Sequence, residues 1–284
     1  MYEIPKLPEK AEAEKIFSDA CKKLGVDKGR IGDLVVYELT DGTRTSTDLD
    51  GWEAYFDGGI FILRLFHLLS LLGAKHAYVL TTGEGHQKRD NYEDIIKSLQ
   101  EQVEVYSNYV EDNDVRLKFV INAPTLARFS SFVRKLRELE KKSGKNNGLT
   151  IYVLVNYSAG WAMRSGALRD LPNANVIIKH TKGQVNEGLW LPDRLQNNSF
   201  VYAQQGSVSM NWTDRQLVYL IAIALRSMIF HQGQQYKKTY SGGEKEFIRK
   251  MREKKMHLVH KKLVAKPSKR VVMFSNVGPE IYEF

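Results

Sequence analysis

Short, almost uninterrupted apolar runs alternate with longer amphipathic segments, and this alternation constrains the fold of the chain more than any other feature. Ala77 to Leu80 and Ile151 to Val155 carry no charge, as strands do when both faces of a sheet are buried. Around them the pattern predicts strands at Leu34–Leu39, His76–Thr81, Val115–Ile121, Thr150–Val155 and Val176–Lys179. Helices are predicted at Trp52–Leu72, Tyr92–Val110, Thr125–Lys142 and Gly160–Leu168. Strands and helices in strict succession imply an α/β fold with a mainly parallel central sheet flanked by helices. Ligands of such sheets sit beyond the carboxyl ends of the strands, so the loops after Leu39, Thr81, Val155 and Lys179 are the places to examine.

Two stretches lie outside this core pattern. Glu9 to Leu24 spaces Ala13, Ile16, Phe17 and Ala20 as one face of a helix that ends at Gly25, giving a helical N-terminal extension over residues 1–30. Residues 31–235 form the predicted main domain and close with a helix from Asp214 to Phe230. Residues 236–284 read as a basic C-terminal extension, with a helix over Tyr240–His260 and a strand at Arg270–Ser275.

Charge is concentrated in that last stretch. Of the net +9, a surplus of 8 falls after Phe230, where 13 Lys and Arg face 5 Asp and Glu. Aromatic residues interleaved for base stacking are sparse there, which argues against nucleic acid and favours contact with anionic lipid headgroups. The apolar run Ile60–Ala74 is broken by Arg64 and His67 and falls short of the roughly 20 residues that span a bilayer, so no transmembrane segment is expected. The N-terminus lacks the order of a secretory signal. With a lone cysteine, Cys21, as well, a cytoplasmic protein peripheral to the membrane is expected.

The loops at the strand ends carry a resemblance. Asp41-Gly42-Thr43-Arg44 is similar to the Asp-Gly-Asn-x-Arg signature of the cis-prenyltransferases, the undecaprenyl diphosphate synthase family. Thr81-Thr82-Gly83-Glu84-Gly85-His86-Gln87-Lys88 resembles that family's Phe-Ser-x-Glu-Asn-Trp-x-Arg loop. Asn156-Tyr157-Ser158-Ala159-Gly160, Val176-Ile177-Ile178-Lys179, Arg194-Leu195-Gln196-Asn197 and Trp212-Thr213-Asp214 follow in the family's order. The matching blocks span roughly residues 34 to 235.

The resemblance implies a prenyltransferase that binds an allylic prenyl diphosphate with Mg²⁺ and transfers the prenyl group to isopentenyl diphosphate or to a noncanonical acceptor, another prenyl diphosphate or an alcohol. Asp41 would be the catalytic metal ligand and Thr82 a catalytic hydroxyl. Gly42, Thr43, Arg44, Lys88, Lys179 and Arg194 would bind diphosphate, and Phe61, Leu65 and Leu69 would wall a hydrophobic tunnel. A homodimer is the family's usual assembly. The alternative is a non-catalytic partner subunit of a heteromeric cis-prenyltransferase, for which loss of motif residues is typical. Elementary chemistry agrees at the first loop: main-chain N–H groups of a Gly-containing turn feeding a helix cradle an anion, and a carboxylate beside that anion calls for an intervening cation.

The acceptor side departs from the family pattern. The second arginine of the first motif falls on Thr45 and the helix histidine on Phe56. The arginine of the fifth strand is Lys179, the Arg-x-Ser motif is Arg194-x-Gln196, and an insertion over Lys182–Asp193 separates the two. Lysine replaces the bidentate fork of arginine only in part. His86, His180 and His231 lack metal-ligand spacing and read as surface or internally satisfied histidines.

Overall fold

The structure is a computed structural model and describes residues 6–40, 47–180, 187–195, 199–203, 212–234, 242–243, 245–246, 249–250, 270–275 and 278–283. Eight strands, β1 (Val35–Leu39), β2 (His76–Leu80), β3 (Val115–Ile121), β4 (Leu149–Val155), β5 (Val176–His180), β6 (Ser199–Ala203), β7 (Arg270–Ser275) and β8 (Gly278–Glu283), form one sheet. Its order is β3-β4-β2-β1-β5-β6-β7-β8. β1 to β6 run parallel and β7 and β8 antiparallel. The expected α/β architecture is therefore present, including its mainly parallel centre.

Helices α1 (Lys10–Leu24), α2 (Gly51–Leu72), α3 (Tyr92–Asp112), α4 (Ser130–Ser143) and α6 (Asp214–Gln234) contribute their apolar residues to the core on one face of the sheet. The short α5 (Ala159–Ser165) lies on the other. α2 packs against α3, which packs against α4, and α1 packs against α6 and α2. α2 is long and apolar enough to cross a bilayer, against expectation, because its two charged residues near the middle are Asp57 and Arg64 alone. In the fold it is a core helix: Leu63, Leu65 and Leu68 are fully buried. The half-buried Arg64 reaches Asp214 at the start of α6 with Nε at 3.0 Å.

The second face is fixed by tyrosines: Tyr37 of β1 and Tyr78 of β2, which pair in register, and Tyr157 just past β4. Tyr37 donates its hydroxyl to the carbonyl of Leu189 at 2.6 Å, Tyr78 to Pro172 at 2.6 Å and Tyr157 to Trp190 at 2.7 Å. Part of the insertion is thus stapled onto the sheet by groups whose O–H could not be buried unpaired.

Several boundaries differ from expectation for identifiable reasons. The helix expected from Thr125 is split into a 3-10 segment, Ala123–Phe129, and α4, because Leu126 has non-helical torsions (φ −109°, ψ 18°). α5 stops at Ser165 since Gly166 adopts φ +67°, a left-handed conformation that ends helices. β6 and β8 were not expected. β8 carries Pro279, which a sheet tolerates on an edge strand, and β8 pairs with β7 alone. Through β7, the end of the basic extension continues the central sheet. The remainder of the Tyr240–His260 helix prediction falls largely outside the described residues.

Candidate functional site

A cavity of about 120 Å³ lies between the sheet and α2, α3 and α4. Its sheet wall comes from Val79, Leu117, Phe119, Ile151, Val153 and Val155, with Thr40 and Thr81 at the carboxyl edge of β1 and β2. Ile62 and Phe66 of α2, Leu99 and Tyr106 of α3, and Phe132, Leu136 and Leu139 of α4 close the rest. The lining is predominantly apolar, which is the environment a hydrocarbon requires.

Polar groups occur at two levels. At the edge, Thr40 Oγ1 donates to the carbonyl of Leu80 and Thr81 Oγ1 to that of Leu154, each at 2.7 Å. Each hydroxyl proton is thereby committed to backbone, leaving oxygen lone pairs at the cavity edge. Further in, Gln102 of α3 donates Nε2 to the carbonyl of Tyr55 at 3.2 Å and to Ser98 Oγ at 2.9 Å, and Tyr106 donates its hydroxyl to the carbonyl of Gly59 at 2.7 Å. α2 and α3 are clamped through these bonds at Tyr55 and Gly59, both on the cavity wall.

Asp41, Gly42, Thr43 and Arg44 lie outside the described residues, but Thr40, the residue before them, lines the cavity. The other expected site residues are distributed as follows. Thr82 is fully buried, and its Oγ1 accepts from the backbone N–H of Asn156 at 2.8 Å; it ties the ends of β2 and β4 together and is not part of the cavity wall. Lys88 is exposed at the end of a 3-10 turn, Glu84–Lys88. Lys179 is 6% exposed, and its register with Leu39 sets it on the tyrosine face, opposite the cavity. Arg194 donates Nη1 to the carbonyl of Leu171 at 3.0 Å, holding the loop before β5.

Phe61, Leu65 and Leu69 do not wall the cavity. α2 turns Tyr55, Gly58, Gly59, Ile62 and Phe66 to it, a stripe with the i, i+3, i+4, i+7 spacing of one helix face. Residues 61, 65 and 69 follow a stripe about 60–100° around the helix. Leu65 and Leu69 are buried in the core, and Phe61 lies under the Arg64 guanidinium, 5.9 Å from its carbon. A helix apolar on both sides hides which side faces the void.

Of two further buried groups, Glu38 was missed and His180 was read otherwise. Glu38 of β1 and His180 of β5 are both 0% exposed, with His180 Nε2 3.0 Å from Glu38 Oε1. His180 is therefore neither a surface residue nor one with its hydrogen bonds satisfied. The signal available in the sequence was a glutamate in the middle of the apolar run Val35–Leu39, where a charge is costly unless used.

No protein-family model matches the chain, and no curated protein matches it in sequence. Solved structures do match in fold. Lavandulyl diphosphate synthase from Lavandula x intermedia, in complex with dimethylallyl diphosphate, is 15% identical with a TM-score of 0.54, over 68% of this chain and 94% of that one. A probable undecaprenyl diphosphate synthase from Campylobacter jejuni is 14% identical with a TM-score of 0.50, over 73% of this chain and 98% of that one. At these identities the likeness shows a fold shared with these two proteins.

Proposed function

We propose that the chain is a prenyltransferase that takes an allylic prenyl diphosphate as donor and passes its prenyl group to isopentenyl diphosphate or to a noncanonical acceptor. One observation carries this reading: the apolar cavity is lined at its edge by Thr40, and the next residues in the chain are Asp41-Gly42-Thr43-Arg44. A hydrocarbon tail in the cavity would leave its diphosphate at that loop. A solved structure that shares the fold, a lavandulyl diphosphate synthase, is bound to dimethylallyl diphosphate, which supports a prenyl diphosphate as ligand.

In this reading Asp41 would hold Mg²⁺, which when bound would supply positive charge against the leaving diphosphate. Among the described residues no group of three or more His, Cys, Asp or Glu side chains gathers as a ligand set; Asp41 would hold the metal together with the bound diphosphate. Backbone N–H groups of the 41–44 turn and Arg44 would bind the same diphosphate, and the dry cavity walls would keep water from the allylic centre. The basic C-terminal stretch would hold the protein at the anionic surface into which such substrates partition, and a homodimer is part of the proposal.

A second reading, a non-catalytic partner subunit, is favoured by the structural commitments of Thr82 and Arg194. One experiment separates the two. Purified chain is incubated with Mg²⁺ and labelled allylic diphosphates of increasing length, with and without isopentenyl diphosphate, and products are identified by mass. Prenyl transfer that Asp41→Ala abolishes supports the enzyme; donor binding without turnover supports the partner subunit; neither binding nor turnover ends both.

A further inference from the structure

Glu38 and His180 face the cavity side of the sheet without lining the cavity. Strand alternation puts Glu38 on the same face as Thr40, two residues on, and the register of Glu38 with Val79 sets it beside another cavity-wall residue. Leu39 pairs with Lys179, so His180 stands next to Thr40, one strand over. A strand spacing is about 4.8 Å, which leaves the imidazole within a side chain's length of the cavity edge. Trp212 closes the other side, its ring centroid 6.5 Å from that of His180 at 83°.

The pair is poorly satisfied for its depth. Nε2 and Oε1 approach to 3.0 Å without hydrogen-bond alignment, and neither carboxylate oxygen nor either ring nitrogen makes a hydrogen bond. A buried carboxylate and imidazole held this way are costly, and well-packed apolar side chains in their place would be at least as stable. Stability therefore gives no account of them. Side chains of this kind beside a cavity are what proton transfer uses.

We infer that His180 is the proton acceptor of prenyl transfer and Glu38 the positioning residue behind it. The inference rests on the prenyltransferase reading and deepens it. The donor's C1–O bond breaks with its electron pair leaving on the diphosphate, and C1 bonds to the acceptor through an electron pair of the acceptor. An acceptor alkene then loses a proton from the carbon beside the new cationic centre, its C–H pair becoming the new double bond; an alcohol loses the proton of its hydroxyl. Either way one proton is released, and the imidazole takes it. Nε2 is turned to Glu38, so Nδ1 is the nitrogen that accepts, and the Glu38 carboxylate balances the imidazolium that forms. Both ring nitrogens are enclosed in this structure, so the proton would pass through one bridging water admitted beside Thr40.

The test uses the full chain with Mg²⁺, a labelled allylic diphosphate and the acceptor found active for the wild type. His180→Gln and Glu38→Gln are each expected to lower the rate of condensed product by about 100-fold or more. Affinity for a thiodiphosphate analogue of the donor should stay within about 3-fold. Donor that is consumed should emerge as prenyl alcohol and diphosphate, since ionisation does not need the base and a cation that finds no base is captured by water once it leaves the dry cavity. A structural defect would lower binding and ionisation together and leave this partition unchanged. The variant Glu38→Leu/His180→Phe should unfold at no lower temperature than wild type and form no condensed product. Near-wild-type condensation by either glutamine variant, or by the apolar pair, overturns the assignment. A wild-type chain that yields no product with any donor instead refutes the prenyltransferase reading, and the assignment falls with it.

Discussion

Gly59 of α2 and Gln102 of α3 occupy a space that has room for one of them to be large: a Cβ on Gly59 would meet the Gln102 amide at 2.2 Å. The atoms met are the far end of a side chain, so Gln102 can leave, but only by giving up its bonds to the Tyr55 carbonyl and Ser98. Gly59→Ala should therefore cost about 1–3 kcal/mol as overpacking. In a Gln102→Ala background the same change should stabilise by up to about 1 kcal/mol, because alanine is the better helix former and nothing now opposes it. Urea unfolding of the four proteins checks the reversal of sign; equal costs in both backgrounds refute the clamp.

The cavity wall gives a contrast between two buried residues. Phe132 lines the void and is 1% exposed, whereas Leu65 is 0% exposed and does not line it. Truncation to alanine should cost about 3–5 kcal/mol at Phe132 and about 2–5 kcal/mol at Leu65. Only Phe132→Ala opens the cavity towards α4, so it alone should shift transfer towards longer allylic donors and products. Product masses at a temperature where both variants remain folded decide it, and the same shift from Leu65→Ala would contradict the wall described here.

The contrast also shows what the sequence holds and what it withholds. Strand positions were readable because burial on both faces leaves runs such as Ile151–Val155 without a single polar residue. That the carboxyl edge is the place to look for a site followed from the topology those runs imply, and the cavity reaches that edge at Thr40 and Thr81. Which side of α2 faces the void was not readable, since Ile62 and Phe66 differ from Leu65 and Leu69 in no property except direction. The clamp at Gly59 was equally hidden, for it depends on Gln102, forty-three residues on, arriving opposite a glycine. The role of Lys179 turned on register: one step along β5 exchanges the tyrosine face for the cavity face, and it is His180 that shares a face with Thr40.

Cys21 should be silent towards thiol reagents while the protein is folded. Burial against the inner side of α1 pushes its thiol up to about 11, with Lys28 opposing and Asp27 adding slightly, and the residue is 2% exposed. Only the thiolate reacts, so at neutral pH both access and ionisation are withheld. Labelling by an aromatic disulfide should be slow in buffer and immediate in denaturing urea; fast stoichiometric labelling of the native chain would show that α1 separates readily from α6.

His67 should make the protein acid-sensitive at a defined place. It is 7% exposed on α2, with Nδ1 3.1 Å from the Tyr109 hydroxyl and Nε2 3.2 Å from the carbonyl of Pro8. The neutral ring satisfies both partners, accepting from Tyr109 at Nδ1 and donating to Pro8 at Nε2. Burial lowers its pKa from the ordinary 6.5, and the Pro8 carbonyl and Asp214 oppose that shift without cancelling it. The unfolded chain then binds a proton that the folded chain refuses, so the contribution to stability is complete above 6.5 and is lost as pH falls below it towards the folded value. The urea midpoint should therefore drop between neutral pH and about pH 5. His67→Gln, which cannot titrate, should start lower and show a smaller drop over the same range. An identical slope for both proteins would assign the acid sensitivity to other groups, and would remove His67 as the tie between the segment before α1 and the core.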